Sequence, residues 1–211
     1  MILSGVQILT RSVQNQFEKR FNVPIFEGYG LTETTSFSCI NNYPAENRKI
    51  GSIGKPLQIN EMSILNENGQ EVEESIEGEI CIRGYNVASG YLGDTKINHA
   101  FRNGWFHSGD YGTKDKDGNF YFHGRQDSLI IKGGENIYPA ELENVLYNHP
   151  DVDECAVIGI SDELLGENIC AFVKIKDKSQ LTKNDLEKFC KDKITSYKQP
   201  KKIIIINDLV D

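Results

Sequence analysis

Between residues 50 and 126 glycines cut the chain into short apolar or alternating runs, among them MSIL, EICIRG and NFYFHG. Runs this short, bounded by turn formers, carry the two-residue period of strands rather than the 3.6-residue period of helices. Asn68-Gly69 and Asp117-Gly118 are hairpin-type turn pairs, because tight hairpins need residues that tolerate positive φ. The segment is read as a small antiparallel, barrel-like β subdomain, and the flanks have to be built around it.

Upstream, residues 10–21 have the spacing of a helix, with Thr10 as its cap and Val13, Phe17 and Phe21 on one face. A short strand, 23–26, and a glycine turn, Gly28-Tyr29-Gly30, follow. Helix, strand and turn in this order predict the end of an α/β layer over 1–49. Downstream, a small α+β domain is predicted over 127–211. DSLIIKGGENIYP reads as a hairpin around Gly133-Gly134, and Pro139 opens a helix whose buried face is Leu142, Val145, Leu146 and His149. Pro150 ends that helix. Strands are predicted at 155–160 and 169–175. Thr182 and Asp185 resemble a capping box before a helix that buries Leu186, Phe189 and Cys190, and a last strand covers 203–206. The fold class is thus α/β and α+β in three parts: 1–49, 50–126 and 127–211.

The 211 residues are 38% hydrophobic and 26% charged, a globular rather than disordered composition. With 23 Lys and Arg against 31 Asp and Glu the net charge is −8, which argues against general binding to nucleic acid or anionic membranes. The cysteines, at 39, 81, 155, 170 and 190, form no CxxC, and three lie in apolar runs. Neither a disulfide framework nor a zinc site is expected, and a reducing cytoplasm is. MILSGVQILTRSVQ lacks the form of a signal peptide, and no apolar run approaches transmembrane length.

Three segments carry candidate chemistry. In GYGLTE, Gly28 and Gly30 let a ligand approach the main chain, and Tyr29 offers a flat face to a base. Thr32 offers a hydroxyl to a phosphate, and Glu33 a hard oxygen to Mg²⁺. The same six residues could be a tight turn with a solvated Thr-Glu pair, and Glu33 replaces the third glycine of the dinucleotide pattern G-x-G-x-x-G. In NGWFHSGDYG, the two carboxylate oxygens of Asp110 suit the vicinal hydroxyls of a ribose, although Asp also caps turns. Trp105 is read as packing. In GRQDSLIIKGGENIYPAELE, Arg125 is a five-donor fork suited to ribose or phosphate, Asp127 marks the start of the last domain, and Lys132 precedes a Gly-Gly loop. The plain alternatives are a surface ion pair between Arg125 and Asp127, worth about 0–1 kcal/mol, and a solvated hairpin lysine.

Taken in order, GYGLTETT, GEICIRG with SGYLGD, NGWFHSGD and GRQDSLIIKGGENIYPAELE resemble the adenylate-forming superfamily, and the resemblance extends through VDECAVIGISDELLGENICAFV. NGWFHSGD and GGENIYPAELE look more like AMP-forming acyl-CoA synthetases than like amino-acid-activating domains, with fatty-acid ligases the nearest resemblance. That resemblance implies ATP or AMP, Mg²⁺ and CoA as cofactors and a carboxylic acid, a fatty acid favoured, as substrate. It places Tyr29 against the adenine between Gly28 and Gly30, Thr32 at the α-phosphate and Glu33 on Mg²⁺. Asp110 falls on the ribose with Arg125 assisting, Asp127 becomes a domain hinge, and Lys132, Gly133 and Gly134 line the pantetheine tunnel. A ligase loading a carrier protein and a non-catalytic nucleotide-binding remnant are the alternatives. The family's Ser/Thr/Gly-rich phosphate loop and its catalytic lysine, in a segment like PKTxxGK, have no counterpart here. The resemblance therefore implies the C-terminal part of such an enzyme, inactive alone, whose partner is an N-terminal part. On that reading Val23, Ile25 and Phe26 are partly exposed, and poor solubility or self-association is expected.

Overall fold

Strand β1 (Ile2–Ser4), helix α1 (Arg11–Phe21) and strand β2 (Ile25–Tyr29) open the first of two units, Met1–His123 and Gly124–Asp211. The structure is a computed structural model and describes residues 2–5, 9, 11–41, 44–93 and 97–207; the expected cap Thr10 lies outside the described residues. β1 and β2 pair in parallel, Ile2 opposite Ile25, with α1 as the crossover that a parallel pair requires. β3 (Cys39–Ile40) and β4 (Lys55–Pro56) extend this sheet antiparallel in the order β1-β2-β3-β4.

Helix α1 presents the opposite face from the one its apolar spacing predicts. Val13 and Phe21 are each 53% exposed, while Gln14 is 2% exposed. The reason is the backbone at the start of β2. Gln14 Nε2 donates to Ile25 O, and the Ile25 N–H donates to Glu18 at 2.8 Å. Buried main-chain groups must find partners, and the polar side of α1 supplies them. Arg48 then pairs with Glu18 and lies over the Phe26 ring, 5.3 Å from its centroid. Ile25 and Phe26 are 5% and 2% exposed, which corrects the expectation that they are partly exposed, whereas Val23 is half-buried as expected. On β1 and α1 the exposed apolar side chains include Ile2, Leu3, Val13 and Phe21.

The glycine-cut middle of the chain forms β5 (Asn60–Leu65), β6 (Gly78–Gly84), β7 (Phe101–Arg102), β8 (Trp105–Lys114) and β9 (Phe120–Arg125). They make an antiparallel sheet ordered β5-β6-β8-β7, with β9 also on β8. Gly69 and Gly118 take positive φ in the two predicted turns. The inner face buries Met62, Ile64, Ile80, Ile82, Phe106 and Phe120.

The second unit starts with a hairpin of β10 (Ile130–Lys132) and β11 (Glu135–Ile137), followed by α2 (Pro139–Tyr147), β12 (Val152–Asp162), β13 (Gly166–Ile175), α3 (Lys183–Lys191) and β14 (Lys202–Ile206). Its sheet runs β11-β10-β13-β12, with β14 parallel to β13. Leu142, Leu146, Ile169, Val173 and Leu186 are fully buried between the helices and this sheet. Pro139 occupies the first turn of α2, and His149, just beyond it, stacks edge-on against Phe189 at 4.8 Å. The predicted capping box is present: the Asp185 N–H donates to Thr182 Oγ1 and the Thr182 N–H to Asp185 Oδ2. Thr182→Ala is expected to cost about 1 kcal/mol, read as faster hydrogen exchange at the first amides of α3 while those of α2 keep their rate. All five cysteines are free and buried. Among the described residues no helix is long and apolar enough to cross a membrane.

Candidate functional site

Asp110 and Tyr29, 81 positions apart, meet in the first unit: the Tyr29 hydroxyl donates to Asp110 Oδ2 at 2.6 Å. Asp110 is 3% exposed. Burial, and then the Asp110 charge, hold the Tyr29 phenol well above its ordinary pKa, so it stays a donor. Asp110 is reached through a local device: its N–H donates to Ser108 Oγ, and Ser108 Oγ donates to Ile80 O at 2.6 Å.

The GYG segment feeding Tyr29 is extended rather than turned. Gly28 and Tyr29 belong to β2, and neither glycine has left-handed φ. Glycine is required for space instead. A Cβ on Gly28 would come 2.6 Å from the Phe37 ring, and one on Gly30 1.5 Å from Ser36 O. The loop after Gly30 carries Thr32, which is exposed, and Glu33, half-buried, on a short 3-10 turn (Thr32–Thr34). Thr35 and Ser36 then take φ of 51° and 79°, conformations that non-glycine residues hold only when neighbours enforce them. Asn86 is that neighbour: its Nδ2 donates to Thr34 O, and its own O accepts from Thr35 Oγ1, both at 2.8 Å. The Tyr91 hydroxyl donates to the Glu33 carboxylate, which leaves Glu33 further lone pairs for a hard cation.

In the second unit Lys132 and Glu135 close a two-residue hairpin in which Gly133 and Gly134 have φ of 60° and 88°, the type I′ requirement. The hairpin is pinned rather than loose. The Gly133 N–H donates to Leu165 O at 2.8 Å and the Ile131 N–H to Glu167 Oε2 at 2.7 Å. Burial lowers the Lys132 pKa, Asp162 opposes this and Lys201 adds to it. Arg125 Nε and Asp127 Oδ1 form a 3.1 Å ion pair with side chains 50% and 70% exposed.

Sequence reasoning passed over four residues of the first site: Glu79, Ser108, Asn86 and Tyr91. All sit within quoted or neighbouring segments, but their roles depend on cross-strand and loop partners that no local pattern encodes. Glu79, Cys81 and His107 bring ligand-type atoms within 4.8 Å of one another. His107 Nδ1 lies 2.6 Å from Glu79 Oε2 and 3.3 Å from Cys81 Sγ. The first is a hydrogen-bond length, whereas two N/O ligands of one tetrahedral zinc stand about 3.4 Å apart, from bonds of about 2.1 Å.

Glu27, one residue before the GYG segment, was also unforeseen. Burial raises its carboxyl from the ordinary 4.5 to about 7, against a Gly51 N–H and the charges of Arg11 and Arg48. Glu27 Oε2 has no hydrogen-bond partner among the described residues. A folded-state pKa above the unfolded one means that the native state holds the extra proton. Stability is therefore full below pH 4.5 and falls as pH rises towards about 7. Glu27→Gln should raise stability at pH 8 by about 1–2 kcal/mol after allowance for partial exposure, or about 2–8 °C in Tm. The gain should vanish near pH 4.5; an equal gain at both pH values would contradict the assignment.

The model of the AMP-binding enzyme family matches residues 1–92, and that of the AMP-binding enzyme C-terminal domain matches residues 141–211. The chain is 42% identical over 210 residues to 2-succinylbenzoate–CoA ligase of Bacillus mycoides, covering 99% of this chain and 43% of that protein. It is 41% identical over 199 residues to oxalate–CoA ligase of Arabidopsis thaliana, covering 93% and 38%. Its structure superposes with a TM-score of 0.90, at 35% identity, on o-succinylbenzoate CoA synthetase of Bacillus subtilis in complex with its acyl-adenylate intermediate, covering 99% of this chain and 43% of that one. The chain thus spans about two fifths of the relatives it matches.

Proposed function

The chain belongs to the AMP-binding enzyme family of adenylate-forming CoA ligases, and from that premise we propose that it carries the nucleotide-facing loops and the small C-terminal domain of an AMP-forming acyl-CoA ligase. In the first step a carboxylate oxygen attacks the α-phosphorus of ATP, and the bond from that phosphorus to pyrophosphate breaks. In the second the thiol of CoA attacks the acyl carbon, releasing AMP and a proton. Neither step needs a covalent nucleophile from the protein; positioning and stabilisation of phosphate charge suffice.

The observation that carries this reading is the hydrogen-bonded pair of half-buried Tyr29, at the end of β2, and buried Asp110, on β8. A carboxylate offers about four lone-pair sites on its two oxygens, which suits the paired hydroxyls of a ribose, and the Tyr29 ring stands beside it for the adenine. Thr32 supplies a hydroxyl to the α-phosphate. Glu33 has the hard, half-buried oxygen that Mg²⁺ selects, and Mg²⁺ would there neutralise phosphate charge. Arg125 adds donors to the ribose side, Asp127 is the hinge, and the Lys132-Gly133-Gly134 hairpin lines the path of the CoA thiol. That hairpin is held within its own unit by its pairing with β13 and by the Gly133 N–H to Leu165 O bond. The acids to try follow from the relatives, 2-succinylbenzoate and oxalate, beside the fatty acids suggested by the motifs. AMP titrated into the ¹⁵N-labelled chain should shift amides concentrated at 28–34 and 108–111. Shifts confined to other segments, or none at millimolar AMP, would refute the site.

A further inference from the structure

Asp110 sits on an irregularity that the β6–β8 ladder would not tolerate unaided. Glu79 pairs with Tyr111 and Cys81 with His107. Between those pairs β6 has one residue, Ile80, whereas β8 has three, Ser108, Gly109 and Asp110. Two extra residues bulge out of β8, and the ladder bonds they would have made are lost. Bulges re-aim side chains beside functional sites, but each leaves main-chain groups to satisfy.

Side chains do that here. Ser108 Oγ replaces a ladder donor to Ile80 O and accepts from the Asp110 N–H. Glu79 Oε1 accepts from the Gly109 N–H at 3.0 Å, at a residue with φ of 72°. Glu79 itself is fixed from two further sides, by His107 Nδ1 at 2.6 Å on its other oxygen and by Arg102 Nη2 at 3.6 Å. Its side chain is 14% exposed. The carboxylate accepts from the main chain of Gly109, the residue immediately before Asp110.

We infer that Glu79 is a positioning residue: it holds the Ser108–Gly109–Asp110 bulge so that the Asp110 carboxylate faces the ribose. This rests on the reading of Asp110 as a ribose ligand, so the test has two arms, both run on the full 211-residue chain. The first measures amide hydrogen exchange without nucleotide. Glu79→Ala should speed exchange at Gly109 at least tenfold while Ile82, on the regular part of the ladder, keeps its rate. Glu79→Gln should retain most of the protection, since its amide oxygen still accepts from Gly109 and its NH₂ can face His107 Nδ1. Unchanged exchange at Gly109 in Glu79→Ala overturns the inference. The second arm compares AMP with 2′,3′-dideoxy-AMP. Glu79→Ala should weaken AMP about tenfold and leave the dideoxy analogue nearly unaffected, collapsing the preference for the ribose hydroxyls; Glu79→Gln should restore it. Equal weakening of both ligands marks a merely structural residue and overturns the inference. If the unsubstituted chain shows no preference for AMP over the dideoxy analogue, the ribose reading fails, and the exchange arm alone decides whether Glu79 holds the bulge. Should Glu79→Ala not fold, Glu79→Asp serves in its place, since its shorter side chain draws the carboxylate away from Gly109, with faster exchange at Gly109 as the expected result and an unchanged rate as the contrary one.

Discussion

Gly30→Ala is expected to destabilise the first unit by about 3 kcal/mol, the upper end of what overpacking costs. The added Cβ would fall 1.5 Å from Ser36 O, 2.6 Å from Ser36 C and 2.7 Å from Phe37 Cα. All three are main-chain atoms, so no rotamer change relieves the overlap. The loop itself resists displacement, because the Ser38 N–H donates to Tyr29 O at 2.8 Å and Asn86 holds Thr34 and Thr35 from the other side. Either the loop shifts, carrying Thr32 and Glu33 with it, or β2 bends. Urea unfolding should show a lower midpoint, and AMP affinity should fall with it. Gly104→Ala is the control: that glycine, unlike Gly30, has positive φ, and a Cβ there meets nothing within 4 Å. Its cost should be backbone strain alone, about 1 kcal/mol. Equal effects at the two positions would show that close approach is not what Gly30 provides.

Asp110→Ala should weaken AMP by about 10- to 100-fold, the value of hydrogen bonds to a charged acceptor. The truncation also strips Tyr29 of its 2.6 Å acceptor, leaving Ser108 as a side-chain partner, and loss of a hydrogen bond to a charged group costs about 1.5–3 kcal/mol of stability. Asp110→Asn separates the two effects. Its side-chain oxygen can still accept from Tyr29, so stability should recover, while the uncharged amide should leave a loss of several-fold in affinity. Calorimetric titration with AMP gives both numbers. Affinity within twofold of the unsubstituted chain in both variants would remove Asp110 from the site.

Local chemistry made much of this fold legible. The hairpin glycines at 69, 118, 133 and 134 all take positive φ, because nothing else in their neighbourhood could turn the chain so tightly. The strands of the second unit and the Thr182 cap followed from period and capping pattern alone. Helix α1 was misread because apolar spacing reports which face is greasy, not which face the backbone of β2 needs; Gln14 and Glu18 went inward to serve Ile25. GYG was misread as a turn because glycine has two uses, unusual φ and close approach, and only the position of Ser36 and Phe37 distinguishes them. The candidate ligands Tyr29, Thr32, Glu33 and Asp110 could be singled out by residue type and motif. What aims them could not, since Glu79, Asn86 and Tyr91 act across strands and loops from 30 to 58 residues away. The Glu27 carboxyl was missed for a related reason: its pKa is set by burial, which a sequence pattern does not state.

The most direct test of the central claim is acid-dependent pyrophosphate release from ATP, with and without CoA. It should be measured on the polypeptide that contains this chain together with whatever native sequence flanks it. 2-Succinylbenzoate, oxalate and fatty acids of graded length form the substrate panel. The expected result is release that depends on one class of acid and on Tyr29 and Asp110, with acyl-CoA and AMP appearing when CoA is added. A folded protein that binds AMP yet releases no pyrophosphate with any acid would contradict the ligase assignment and leave a nucleotide-binding module.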